Sequence, residues 1–220
     1  EPNETFTVDG TLVSGTIDAA NSDFQGEVTI VDNDGTPTVT IGDVTVNEGD
    51  GTVSVPVTLS SPSSVDTVID IVTNTGTAGT ADYTTTTTQV TIPAGSLTVN
   101  VIIPILEDLL DEPNETFTVD GTLVSGTIDT AASDFQGEVT IVDNDGTPTV
   151  TIGDVTVNEG DGTASVPVTL SSPSSVDTVI DIVTTTGTAG TADYTTTTIQ
   201  VTIPAGSLTV NVIIPILEDL

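Results

Sequence analysis

Apolar and polar residues alternate along most of this chain. Residues 52–60 place Val53, Val55, Val57 and Leu59 on one side and mostly hydroxyl-bearing residues on the other, the period of a strand with one buried face. The same period runs through 38–48, 65–73, 83–92, 97–106, 115–124 and 138–143, giving about seven predicted strands. Turn signals separate them: Asp50-Gly51, Ser61-Pro62, Gly76 with Gly79, and Pro93-Ala94-Gly95. No stretch combines helical spacing with caps. Pro56 and Pro104 fall inside strand patterns, and since proline lacks the N–H that a central strand donates, both are expected at edges or bulges. Short strands rich in valine, threonine and isoleucine predict an all-β fold, an Ig-like antiparallel β-sandwich.

The pattern repeats with a period of 111 residues. Residues 1–109 and 112–220 differ at five positions, Ala19/Thr130, Asn21/Ala132, Val53/Ala164, Asn74/Thr185 and Thr88/Ile199, so 104 of 109 pairs are identical. One period is the size of a compact domain. The stiff, proline-containing joint Asp-Asn-Asp-Gly-Thr-Pro-Thr at 32–38 and 143–149 sets the frame. Residues 1–35 are then the C-terminal part of a preceding repeat, 36–146 a complete repeat, and 147–220 the N-terminal part of a following one. Both ends fall in the same acidic loop, as expected of a window from a longer array.

Charge changes the picture most. The chain has 33 acidic side chains and no lysine, arginine or histidine, a formal charge of −33. No side-chain ion pair is possible. Two carboxylates about 4 Å apart repel by roughly 4 kcal/mol at an effective dielectric near 20, comparable with the stability of a small domain. Yet residues 105–117 place Glu107, Asp108, Asp111, Glu112 and Glu115 within nine positions. Such a cluster implies either a bound cation or a dispersed loop. Nucleic acid is excluded, because the basic contacts that dominate its binding are absent. Disorder is not expected either, since 35% of the residues are hydrophobic. The longest apolar run is far too short to span a membrane. Without His, Cys or Lys the common bases and nucleophiles are missing, and no tryptophan lines a sugar cleft beside a carboxylate pair, so no enzymatic activity is expected.

In an antiparallel sandwich, loops after alternate strands meet at one end. Glu48, Asp82, the 107–115 cluster, Asp143 and Asp145 all fall in or beside predicted turns and could converge there, and hard cations such as calcium take six to eight oxygen ligands. Turn formation alone also explains Asp-Gly and Asn-Gly pairs, and the spacing around Asp32-Asn33-Asp34-Gly35 does not fit an EF-hand.

Taken together, Val-Asn-Glu-Gly-Asp-Gly-Thr at 46–52, Gly-Thr-Ala-Gly-Thr-Ala-Asp-Tyr at 76–83, the Pro-Ala-Gly turn at 93–95, the segment 104–117 and the closing 139–146 resemble the Calx-beta repeat of sodium/calcium exchangers and giant bacterial surface proteins. The resemblance spans the whole period. It implies calcium held at one pole of the sandwich by Glu48, Asp82, Glu107, Asp108, Glu112, Asp143 and Asp145. In the flanking copies it implies the same for Glu1, Asp32, Asp34, Glu159, Asp193, Glu218 and Asp219. Asn144 stands where the family often has a third aspartate, which implies loss of a second ion. Asp111 and Glu115 read as solvated loop charges, and Asp43, Asp66, Asp70 and Glu138 as outward positions. Asp66-Thr67-Val68, Asp129-Thr130-Ala131 and Asp177-Thr178-Val179 are similar to the O-glycosylation triplet of Bacteroidetes.

Near-identity, acidity and threonine richness are similar to the long tracts of bacterial adhesins, including the gliding-motility adhesins of Bacteroidetes. The expected function is a calcium-stabilised structural repeat in an extracellular, cell-surface stalk or filament that supports adhesion or gliding. The implied partners are neighbouring repeats, with surface polysaccharide and export or motility machinery as candidates. Two alternatives stand beside it: a calcium-sensing regulatory module, and a repeat face that binds polysaccharide or ice directly through rows such as Thr84–Thr88.

Overall fold

The computed structural model describes residues 2–218; Glu1 and Asp219, two of the expected ligands, lie outside that range. Fifteen strands are described. A first hairpin comprises β1 (Glu4–Asp9) and β2 (Gln25–Ile30). The central unit comprises β3 (Val39–Ile41), β4 (Val44–Asn47), β5 (Thr52–Leu59), β6 (Thr67–Thr75), β7 (Thr87–Ile92), β8 (Thr98–Pro104), β9 (Glu115–Ser125) and β10 (Gln136–Val142). The last part comprises β11 (Val150–Ile152), β12 (Thr163–Leu170), β13 (Thr178–Val183), β14 (Thr198–Ile203) and β15 (Thr209–Pro215). Among the described residues no helix is long and apolar enough to cross a membrane.

The central unit is an Ig-like sandwich of a three-stranded sheet, β3-β5-β8, and a five-stranded sheet, β4-β10-β9-β6-β7. Period-two alternation puts Val53, Val55, Val57 and Leu59 inward from one sheet, and Ile69, Ile71, Phe117, Val119 and Val139 inward from the other, all buried. Tyr83 stacks on Phe117 with ring centroids 3.9 Å apart.

Two sequence expectations are corrected. The run 38–48 is two strands rather than one: β3 pairs antiparallel with β5, and β4 pairs parallel with β10 in the opposite sheet. Pro56 is neither at an edge nor in a bulge, but in β5, the middle strand of its sheet. One fact explains both. The N–H of Gly42 donates to the Pro56 carbonyl at 2.9 Å, whereas Pro56 has no N–H to return. The β3–β5 ladder ends there and the chain crosses to the other sheet. Gly42 permits the crossing, since a Cβ at that position would come within 2.9 Å of the Pro56 ring. Pro104, by contrast, closes β8, an edge strand.

The second repeat is described only as far as the loop after β15. Its β12, β14 and β15 have the bounds of β5, β7 and β8 shifted by 111, and Ala164, Val168, Leu170, Ile203 and Val212 form a smaller core.

Candidate metal centre

Glu48 opens a three-residue 3-10 turn directly after β4, capped by Asn47 and ended by Gly51 at φ 74°. Asp82 lies in the turn before Tyr83, its carboxylate accepting the Gly79 N–H. Asp108 and Glu112 lie on the loop between β8 and β9, where Asp108 accepts the Leu110 N–H at 2.7 Å and its own N–H donates to Glu48 Oε1 at 3.3 Å. Glu115 starts β9. Asp143 and Asp145 follow β10, and the Asp145 N–H donates to Asp143 Oδ1 at 3.3 Å.

Folding gathers these carboxylates at one pole. Glu48, Asp143 and Asp145 each offer an oxygen within 4.8 Å of the others, as do Glu48, Asp108 and Glu112, and likewise Asp82, Glu112 and Glu115. The three groups share members, so they form one continuous acidic surface. A cavity of about 10 Å³, room for one water-sized body, is lined by Glu48, Asp82, Glu112, Glu115, Asp143 and Ile141.

The electrostatics match this crowding. Burial, followed by the Asp108 carboxylate, pushes Glu48 up to about 7. Burial, then Asp108 and Asp82, pushes Glu112 to about 7 as well. Glu115 is raised by burial and then by Asp82, and Asp145 by burial and then by Asp143 and Glu107. Asp145 Oδ2 is shut off from solvent and has no hydrogen-bond partner. A buried, unpartnered carboxylate oxygen among other carboxylates is costly unless something positive meets it. The chain itself supplies no cation. The donor set is all oxygen, which suits a hard divalent ion.

The structure departs from the sequence reading at two residues. Glu107 is exposed and stands outside the three groups; its carboxylate accepts from Asn144 Nδ2 at 3.2 and 3.3 Å. Asn144 thus neutralises nothing but ties down one acid. Glu115, read as a solvated loop charge, belongs to the cluster. Its signal was the strand period, since it lies two residues before inward-facing Phe117. Asp43, Asp66 and Asp70 are exposed, as expected, and accept from Glu138 N, Ala94 N and Gln89 Nε2. Thr67 of the first glycosylation triplet is buried and inaccessible, while Thr130 lies on an exposed turn.

In the second repeat Glu159 and Asp193 border a wide cleft of about 470 Å³ together with Val157, Tyr194, Ile214 and Ile216. Asp32 and Asp34 lie in the exposed segment after β2, and Glu218 follows β15. Among the described residues these do not converge into a pole like that of the central unit.

Fold and site define a class: tandem Ig-like β-sandwich repeats with an acidic pole beside the joint between units. The profile of the Calx-beta domain matches residues 31–145 and again 142–220. The chain belongs to the Calx-beta domain family. Similar solved structures include CBD12 from CALX1.2, 19% identical over 82% of this chain and 76% of that one with a TM-score of 0.44. The apo form of the Calx CBD1 domain is 22% identical over 50% of this chain and 100% of that one, at 0.46. The calcium binding domain CBD12 of CALX1.1 is 19% identical over 83% and 76%, at 0.45. No curated protein sequence matches the chain.

Proposed function

We propose that this chain is a run of calcium-stabilised structural repeats from an extracellular, cell-surface stalk or filament, with residues 36–146 as the unit. The observation that carries the reading is the pole itself: Glu48, Asp82, Asp108, Glu112, Glu115, Asp143 and Asp145 are drawn from four separate segments, and Asp145 Oδ2 meets neither solvent nor a donor. A divalent ion offsets the repulsion. At a calcium concentration a hundredfold above Kd, mass action adds about 2.7 kcal/mol per site. Membership of a calcium-associated family and near-identical tandem copies support a mechanical role, because interchangeable units suit a rod better than a sensor. Adhesion or gliding, with surface polysaccharide or motility machinery as partners, belongs to this proposal.

The pole is also tied to the next repeat. The Asp111 N–H donates to the Pro173 carbonyl at 3.3 Å, and the Asp111 carbonyl accepts from the Ser175 N–H at 3.2 Å and its hydroxyl at 3.0 Å. An ion that orders the 107–115 loop thereby orders the joint. Thermal unfolding of the full chain in calcium and in chelator, paired with calorimetric titration, tests the reading. A rise in Tm of several degrees with stoichiometric binding is expected. Equal melting in both, with no heat of binding, overturns it.

A further inference from the structure

The chain enters the central unit at one pole, leaves it at the other, and does both along neighbouring strands. At the end away from the acids the Thr38 carbonyl accepts the Ser60 N–H at 2.9 Å and the Pro37 carbonyl accepts the Asp129 N–H at 2.8 Å, beyond the far ends of β5 and β9. At the other end β4 runs into Glu48 and β10 into Asp143, both members of the acidic pole. β4 and β10 are parallel and adjacent, from Val44↔Val139 to Asn47↔Val142. The contact also extends back beyond β4. The Asp134 N–H donates to the Val39 carbonyl at 2.8 Å, and the Ile41 N–H donates to the Asp134 carbonyl at 3.1 Å. Between these bonds and the β4 ladder, where the chain crosses from one sheet to the other, the Asp43 carboxylate accepts the Glu138 N–H at 2.8 Å. The entering segment 39–47 is thus bonded along its length to the leaving segment 134–142.

This arrangement decides how tension meets the unit. Pulling the chain before residue 39 away from the chain after residue 142 draws two parallel segments lengthwise past each other. Hydrogen bonds between parallel strands are evenly spaced along the pair, so lengthwise sliding strains all of them together, whereas peeling from one end breaks them in turn. The acids stand at the end of the same pair. Glu48 directly follows β4 and Asp143 directly follows β10, and with Asp145 they offer oxygens within 4.8 Å of one another. Any sliding of β4 along β10 separates Glu48 from Asp143.

We propose that segments 39–47 and 134–142 form the force-bearing clamp of the repeat, and that Glu48, Asp143 and Asp145, bridged by one divalent ion, pin that clamp where its two strands end. The pin rests on the calcium reading above; the clamp rests on the strand topology alone. The residues fit an ion at this place, since Glu48 is buried and Asp145 Oδ2 has neither solvent nor a donor. A ligand that binds only the folded state raises its equilibrium stability by the same amount however the unit is opened. A pin acts differently, because resistance to force is set by the unfolding barrier along the route taken. It slows a route that draws Glu48 and Asp143 apart early and hardly affects one that leaves them together until late.

The experiment is single-molecule pulling of the full 220-residue chain at fixed force, read as the lifetime of the central unit. Because the chain has no cysteine, introduced cysteines choose the points of attachment. Thr36→Cys with Thr147→Cys, both exposed, loads the two segments lengthwise. Ser64→Cys with Thr130→Cys, also exposed and both at the end away from the acids, opens the sandwich from that end instead. In chelator the first arrangement is expected to outlast the second several-fold at the same load. Calcium is expected to lengthen the first lifetime several-fold further and the second by less than about twofold. Asp43→Ala shortens the lifetime only in the first arrangement, and Asp43→Asn, which keeps an oxygen acceptor, restores it. Equal lifetimes in the two arrangements in chelator overturn the clamp, as does an Asp43→Ala effect that is the same in both. Calorimetric titration of the same chains separates the two readings. Calcium that binds with heat yet lengthens both lifetimes alike, or neither, overturns the pin and leaves calcium stabilisation standing; no heat of binding overturns both.

Discussion

At the scale of single residues the chain is governed by what surrounds each carboxylate. Glu48 is 4% exposed and faces Asp108, Asp143 and Glu107 with no basic group in the chain. Glu48→Gln removes a charge that burial and these neighbours oppose, so in chelator the variant is expected to melt about 4–8 °C above wild type, roughly 1 kcal/mol. In calcium it loses a ligand, and the calcium-induced rise in Tm shrinks. Differential scanning calorimetry of both proteins in both buffers checks the crossover. The pH dependence of the metal-free protein follows from the same groups. Glu48 and Glu112 hold their protons up to about 7 in the folded chain, against an ordinary value of 4.5. Between these limits the folded state binds more protons than the unfolded state, so stability falls as pH rises. The contribution is fully present below about 4.5 and lost once pH passes about 7. Urea denaturation in chelator is expected to show a higher midpoint at pH 5 than at pH 8, and saturating calcium should flatten or invert that order. Most of the acidic pole was legible from the turn positions of Glu48, Asp82, Asp143 and Asp145. Glu115 and Glu107 were not, because loop and strand give opposite directions to neighbouring acids, and a single amide, Asn144, decides where Glu107 points.

At the scale of elements, the strands were legible because valine and threonine alternate with period two. The break within 38–48 was not, since the apolar period continues across it. It depends on a donor missing from Pro56, fourteen residues away. Glycine shows the same dependence on a partner element. Gly137 lies against the backbone of Gly42 across the β10–β3 contact, whereas Gly146 has open space. Gly137→Ala is expected to destabilise the central unit by about 2 kcal/mol through forced separation of the strands, and Gly146→Ala to change its stability by less than about 0.5 kcal/mol. Chemical denaturation of the two variants, followed by the near-ultraviolet signal of the Tyr83–Phe117 pair, distinguishes them.

At the scale of the whole molecule, one repeat is tied to the next through Asp111 and the 172–175 turn. Ser175→Pro removes the N–H that donates to the Asp111 carbonyl without touching a carboxylate of the pole. Calcium affinity is expected to stay within about twofold, while small-angle scattering in calcium reports a broader distribution of lengths than wild type. An unchanged distribution would show that the joint is held by other means. The sequence by itself determined which residues face inward, where turns fall, that copies are interchangeable, and that no charge of the chain could neutralise its acids. Only the tertiary structure decided where the run 38–48 crosses from one sheet to the other and which acids met, because backbone hydrogen bonds and carboxylate crowding are both set by elements distant in the chain, and local pattern carries no information on which of those elements a residue will face.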